Sequence, residues 1–298
     1  MEFIHIADVH LGVNETWRQE AVAINEGTTR AFMQVIERCR QEHIDILFVA
    51  GDLFHRPPSI RDLRFVIDRF NRLSETLVVL IAGNHDHIEA GSAWLQVTFP
   101  KHVIFFASEK VAMCELSKWR LRIYGSSFLQ EIDDRRLPGS RLRLQEGFHH
   151  ILVGHGGDSE HHPFVRDDLQ KFTYVALGHL HQMKQLTPTA FYAGSPAAVY
   201  ETEDWQHGYI RGSLDIDSGR LEAVFHPLSA VPEAEEEPVE AVKTKVEAEV
   251  VNRQPALTLL EEEFRRLCAE LPIGRRTAVL ELGLTALRRA EEEDEDAD

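Results

Sequence analysis

Five apolar runs of strand length each end in a small block of carboxylate, imidazole or amide side chains. Glu2 to Ala7 leads into Asp8-Val9-His10, Ile44 to Ala50 into Gly51-Asp52-Leu53-Phe54-His55, and Leu77 to Ala82 into Gly83-Asn84-His85-Asp86. Ile151 to Val153 then leads into Gly154-His155, and Tyr174 to Leu177 into Gly178-His179-Leu180-His181. Buried strands cannot carry unpaired polar groups in mid-run, so such a chain collects its chemistry in the loops that follow the strands. Stretches of helical period alternate with the runs. Thr28 to Glu42 places Ala31, Phe32, Val35, Ile36 and Cys39 on one face, and Ser59 is an N-cap for a helix turning Leu63, Val66, Ile67, Phe70 and Leu73 inward. Three short runs between Val103 and Tyr124, one at Phe191 to Ala193, and a hairpin from Gly208 to Phe225 broken at Asp217-Ser218-Gly219 complete a layered α/β domain.

A single Gly-His or Gly-Asp pair is an ordinary turn signal. Five blocks at successive strand ends, offering carboxylates, an amide and several imidazoles, form a donor set for divalent cations. Two such cations turn water into a nucleophile beside a phosphorus centre, so the blocks read as a two-metal phosphoesterase site. No Ser or Cys constellation suggests a covalent intermediate. Mixed oxygen and nitrogen ligation admits manganese, iron or zinc.

The chain has 298 residues, enough for one large α/β domain and a small appendage. No apolar run reaches the roughly 20 residues of a membrane span, and no charged region precedes the first strand as in a signal peptide, so a cytoplasmic location is expected. Cys39, Cys114 and Cys268 are odd in number and lack CxxC spacing, which excludes a disulfide framework or zinc knuckle. The net charge of −17 is concentrated at the end: 19 acidic residues face 9 basic ones from Ser229 onward. The boundaries follow from this shift: a catalytic domain over 1–228, an acidic linker over 229–255, a small helical or partial capping element over 256–290, and a disordered acidic tail over 291–298. Within the third segment Leu259, Leu260, Phe264, Leu267 and Leu271 share a helical face, with Thr277 to Leu282 as a candidate strand.

In order, D-x-H, G-D, G-N-H-[DE], G-H and G-H-x-H are the motifs of the calcineurin-like metallophosphoesterases, and residues 1–228 resemble that superfamily. Within it the chain most resembles the SbcD/Mre-eleven DNA repair nucleases, including YhaO-type exonucleases. The residues that carry this are Ala7-Asp-Val-His-Leu-Gly12, Ala50-Gly-Asp-Leu-Phe-His55, Gly83-Asn-His-Asp86 and Tyr192-Ala-Gly-Ser-Pro196. Protein phosphatases of the superfamily continue the G-D block with Asp-Arg-Gly and read G-N-H-E, so His55 and Asp86 favour the nucleases.

The resemblance implies a four-layer α/β/β/α sandwich with a small C-terminal appendage. It assigns one metal to Asp8, His10, Asp52 and His181 and the other to Asp52, Asn84, His155 and His179, with Asp52 bridging and manganese as the metal pair. It makes His85 the acid for the leaving 3′ oxygen and His55 a group that orients the phosphodiester, with attack by metal-bound hydroxide. Asp86 is expected to fix a neighbouring imidazole. His5, His87, His149, His150, His161 and His162 are read as solvated or supporting residues, since the metal set is complete without them. The expected reaction is DNA phosphodiester hydrolysis, as exonuclease or endonuclease, in repair. A small-molecule phosphodiesterase or phosphatase and a non-catalytic scaffold are the alternatives.

DNA contact would have to come from local patches on an acidic protein. Arg56, Arg61, Arg64, Arg69 and Arg72 follow the His55 loop, and Arg135, Arg136, Arg141 and Arg143 crowd an irregular stretch. Arg56, Ser195, Arg135 and Arg136 are the candidate substrate contacts. The resemblance implies DNA as partner, an SMC-like ATPase docked through C-terminal elements, and allows a homodimer. About seventy residues follow the catalytic match, room for the start of a cap but hardly for a docking element as well.

Overall fold

The computed structural model describes residues 1–12 and 19–228, and the expectations for 229–298 lie outside the described residues. In chain order the elements are β1 (Glu2–Ile6), α1 (Gln19–Gln41), β2 (Ile46–Ala50), α2 (Ile60–Phe70), β3 (Leu77–Ile81), β4 (Val103–Phe105), β5 (Ala112–Leu116) and β6 (Leu121–Gly125). They continue with β7 (His149–His155), α3 (Arg166–Leu169), β8 (Tyr174–Gly178), β9 (Lys184–Gln185), β10 (Ala190–Tyr192), β11 (Gly208–Leu214) and β12 (Leu221–Pro227). The strands form two six-stranded mixed sheets, ordered β12-β11-β1-β2-β3-β4 and β5-β6-β7-β8-β10-β9.

Alternation along the strands builds the layers. In β1 and β2, Phe3, Ile46, Phe48 and Ala50 face Ile123, Ile151, Val153, Tyr174 and Ala176 of the other sheet, and the Phe3 and Tyr174 rings lie 4.6 Å apart. The intervening Ile4, Ile6, Leu47 and Val49 pack under Phe32, Val35, Ile36 and Cys39 of α1 and Leu63, Val66 and Phe70 of α2. Burial on both faces is why these strands read as continuous apolar runs. On the far side, Tyr124, Leu152, Val175 and Leu177 are covered by Leu137, Leu169 and Phe172. That outer layer consists of the four-residue α3 and irregular chain, so it is thinner than the α1–α2 layer.

Two helix expectations need adjustment. The first helix begins at Gln19 instead of Thr28, running through Gly27. A glycine inside a helix costs about 1 kcal/mol, too little to end one whose other residues favour it. In α2, Leu63, Val66 and Phe70 are buried but Ile67 is only half-buried. Ser59 caps this helix as expected: its hydroxyl accepts from the Asp62 N–H at 3.2 Å, and Asp62 Oδ2 accepts the Ser59 N–H at 2.8 Å.

The parallel strands β1, β2 and β3 of one sheet and β7 and β8 of the other finish at the same end of the sandwich. Loops after parallel strands open a crevice there. Asp62→Ala removes half of the capping box without altering any side chain of the metal-ligand blocks. It should lower unfolding free energy by about 1 kcal/mol in urea titrations while leaving metal content unchanged.

Candidate metal centre

Asp8, His10, Asp52 and His179 have φ of 53°, 52°, 50° and 107°, a left-handed region that non-glycine residues rarely occupy. Such conformations cost on the order of 1–3 kcal/mol each and persist only where neighbours impose them. Backbone bonds between the β1 and β2 loops do this: Asp8 N–H donates to Gly51 O at 3.1 Å, His10 N–H to Asp52 O at 3.0 Å and Leu11 N–H to Leu53 O at 2.9 Å. The carboxylate of Asp8 then accepts the His179 N–H at 2.9 Å, tying the β8 loop of the second sheet to the first. Close approach needs glycine at Gly178, where a Cβ would run into Ala50 O, the His155 ring and Ala7.

Seven residues converge on this end in two overlapping groups. His10 Nε2 and His181 Nε2 face each other at 3.1 Å, with Asp8 completing a set whose donor atoms lie within 4.8 Å of one another. In the second group His155 Nε2 is 3.0 Å from Asn84 Oδ1 and His179 Nδ1 is 3.3 Å from the same oxygen. Asp52 Oδ2 lies between the groups, 3.3 Å from His155 Nε2 and 3.7 Å from His10 Nε2. Its Oδ1 accepts the His85 N–H at 2.9 Å.

Each of the four imidazoles is turned by the nitrogen that faces away from the centre. His155 Nδ1 donates to Ala50 O at 2.9 Å, His179 Nε2 pairs with Asp158 Oδ2 at 2.7 Å, and His181 Nδ1 pairs with Glu203 Oε1 at 2.5 Å. His10 Nδ1 lies 3.1 Å from His55 Nδ1. An imidazole that donates through one nitrogen presents a lone pair on the other, which is the form a metal requires. The donor set therefore fits a pair of divalent cations. Asp8 and Asp52 supply two buried carboxylates that no lysine or arginine neutralises in the hydrogen bonds and ion pairs of the described residues.

Burial and mutual charge set the protonation of these groups. Burial pushes the Asp8 carboxyl up to about 6 and holds the His10 imidazole well below its ordinary value. Burial also lowers His179 to about 4, keeping it neutral. For Asp52, burial is outweighed by the neighbouring His155, and the carboxyl stays well below the usual range. His155 rises to about 9, because the Asp52 carboxylate overcomes the burial that would lower it.

His55 and His85 sit beside the two groups, their rings stacked at 5.2 Å and 25°. His85 Nδ1 donates to His55 O at 3.3 Å. Asp86 does not fix an imidazole. Its buried carboxyl accepts Gly83 N–H at 2.7 Å and Phe54 N–H at 3.1 Å, joining the β2 and β3 loops, and burial raises it to about 7. His87 bonds Asn84 O, His149 bonds Ile216 O and His150 bonds Gln145 O, all outside the centre. His5 is buried in the sandwich interior against the Tyr174 hydroxyl. His162 pairs with Asp133, while His161 shares Asp158 with His179.

The candidate substrate contacts are differently placed. Ser195 is 1% exposed, and its N–H and hydroxyl hold the His181 carbonyl at 2.9 and 3.3 Å, so it positions that ligand's loop instead of opening onto the crevice. Arg135 grips Asp133 and Glu109, and Arg136 and Arg141 share Asp168, so this basic stretch is largely neutralised by its own acids. Arg56 is exposed and lines a cavity of about 280 Å³ with Phe54, Arg61 and Phe65. Sequence reading did not single out Asp158 and Glu203, the carboxylates that orient His179 and His181. The one available signal was that a metal-bound histidine needs such a partner.

The chain belongs to the calcineurin-like phosphoesterase family, whose sequence profile matches residues 1–183. Members of this family are metallophosphoesterases with a dinuclear divalent metal site. Over 274 residues the chain is 30% identical to the uncharacterized metallophosphoesterase YhaO of Bacillus subtilis, a match covering 83% of this chain and 67% of that protein. It is 27% identical over 224 residues to the DNA double-strand break repair protein Mre11 of Methanocaldococcus jannaschii, covering 68% of this chain and 58% of that one. The crystal structure of a dimetal phosphatase from Danio rerio aligns with 78% of this chain and 96% of its own at 12% identity and a TM-score of 0.47. Among the described residues no helix is long and apolar enough to cross a membrane.

Glu203→Gln leaves a hydrogen-bonding side chain but removes the charge that turns His181. Metal affinity measured by competition with a fluorescent chelator should fall about 10- to 100-fold, with the fold intact by circular dichroism.

Proposed function

We propose that this protein is a two-metal phosphodiesterase acting on DNA, with manganese as its working metal and a role in repair. The observation that carries the reading is Asp52 Oδ2, which lies between His10 Nε2 at 3.7 Å and His155 Nε2 at 3.3 Å and so joins two donor groups into one centre. Asp8, His10, Asp52 and His181 would hold one cation, and Asp52, Asn84, His155 and His179 the other. When bound, such a pair lowers the pKa of water and neutralises phosphate oxygens during in-line attack.

His55 and His85 divide the remaining work. With Nε2 turned to the centre, His10 donates through Nδ1 to His55 Nδ1, which leaves the His55 Nε2–H free to donate to a phosphate oxygen. His85, its Nδ1–H anchored to His55 O, would as an imidazolium carry on Nε2 the proton that passes to the departing oxygen, leaving the ring neutral. A stacked pair of histidines beside the centre suits a phosphodiester, whose alkoxide leaving group benefits from an acid. The similarity to archaeal Mre11 proteins supports DNA as the substrate.

A second reading, hydrolysis of small phosphodiesters, is favoured by the self-neutralised arginines at 135, 136 and 141. One assay panel separates the two. Wild type, Asp52→Ala and His85→Ala are given linear duplex, single-stranded DNA, RNA and both mono- and bis-nitrophenyl phosphate, with Mn²⁺, Mg²⁺ or chelator. The expected result is Mn²⁺-dependent DNA cleavage by wild type, loss of hydrolysis and of paired metals in Asp52→Ala, and retained metals with most DNA cleavage lost in His85→Ala. Cleavage of bis-nitrophenyl phosphate without any nucleic acid would select the small-substrate reading, and equal DNA cleavage by His85→Ala and wild type would refute its role.

A further inference from the structure

The wall of the crevice next to His181 is aromatic. Tyr200 lies parallel to the His181 ring, with centroids 5.5 Å apart and planes at 9°, an offset arrangement that carries a flat surface outward from the metal-ligand imidazole. Tyr200 is 45% exposed, and its hydroxyl has no hydrogen-bond partner among the described residues.

The turn that presents it is fixed before any ligand arrives. Glu203 N–H donates to Tyr200 O at 3.1 Å, and the Glu203 carboxylate accepts Val199 N–H at 2.8 Å while pairing with His181. The same carboxylate thus sets both the ligand and the backbone of the ring stacked on it. Trp205 closes the turn from the other side, its indole N–H donating to His181 O at 3.2 Å. A ring held this way loses little entropy when something lies against it.

The surrounding charge says what that can be. Glu201 and Asp204, close to Tyr200 in the chain, are exposed, and Glu203 lies near the ring, so an anionic group is disfavoured on the ring itself and the phosphates of a bound strand would have to lie away from it. A neutral planar group is not disfavoured. Every nucleobase has a π-face that stacks on tyrosine without regard to sequence. We propose that Tyr200 is a stacking platform for the base of a nucleotide flanking the scissile phosphate, which selects nucleic acid over small phosphodiesters. The inference rests on the phosphodiesterase reading and adds to it a substrate-selecting residue.

The test compares oligonucleotides that carry all their bases with ones in which a tetrahydrofuran abasic residue is scanned through the positions near the cleaved bond. The readout is the ratio of kcat/KM between base-bearing and abasic substrate, which cancels any general loss of metal or activity. Wild type should prefer the base-bearing strand about tenfold at one position, mostly through KM. Tyr200→Phe and Tyr200→Trp should keep that preference, while Tyr200→Ala and Tyr200→Leu should bring the ratio toward one. Leucine still covers the His181 face, so it separates stacking on a base from packing on the ligand. An unchanged ratio in the alanine and leucine variants, or a wild-type ratio near one at every position, overturns the platform while leaving a DNA phosphodiesterase. Hydrolysis of nitrophenyl esters without cleavage of any oligonucleotide overturns both.

Discussion

Everything at the crevice answers to one buried carboxylate. Asp52 is 1% exposed between two apolar sheets, a location that costs several kcal/mol for an ion unless its lone pairs are matched. One oxygen is matched by the His85 N–H and the other by imidazoles from β7 and from the β1 loop. Satisfying that single group draws the ends of β1, β2, β3 and β7 toward one point. Its left-handed backbone is tolerated because the paired loops leave it no alternative.

The same economy governs the imidazoles. Four rings face the centre, oriented by three kinds of acceptor: a carbonyl for His155, carboxylates for His179 and His181, and another imidazole for His10. Their supports come from loops distant in sequence, so the ligand shell is rigid without being built on one element. Two backbone approaches lock the sheets together at this end, the Asp8 carboxylate on the His179 N–H and Gly178 against Ala50 O. Side-chain packing alone would leave the two sheets freer to slide.

Much of this was legible in the residues, for reasons that differ by feature. Strands buried on both faces announce themselves as apolar runs with polar blocks at their ends, and the resemblance to the calcineurin-like motifs picked Asp8, His10, Asp52, Asn84, His155, His179 and His181 out of those blocks; the structure brings the seven together. What remained hidden depends on tertiary partners. Nothing local distinguishes Asp158 or Glu203 among 49 acidic residues. Ser195 stands in a Gly-Ser-Pro turn that suits a substrate groove equally well, and only its burial reveals it as a support for His181. Asp86 has the right neighbour for an imidazole partner but was drawn instead to two backbone N–H groups. Arg135 and Arg136 formed a basic patch on paper because the acids that neutralise them, Asp133, Glu109 and Asp168, lie partly beyond the local stretch.

The order of strands has a consequence in time. β1 lies between β2, which follows it closely, and β11, whose Ile210 pairs with His5 and fills the space between the sheets. A growing chain can pair β1 with β2 early, but that sheet keeps an open edge until about 160 more residues have been made. Pairing across such separations is slow. His181 likewise waits for Ser195, Glu203 and Trp205 to be synthesised. The growing chain thus carries the side chains of the centre long before β11 and the turn around Glu203 are there to orient them.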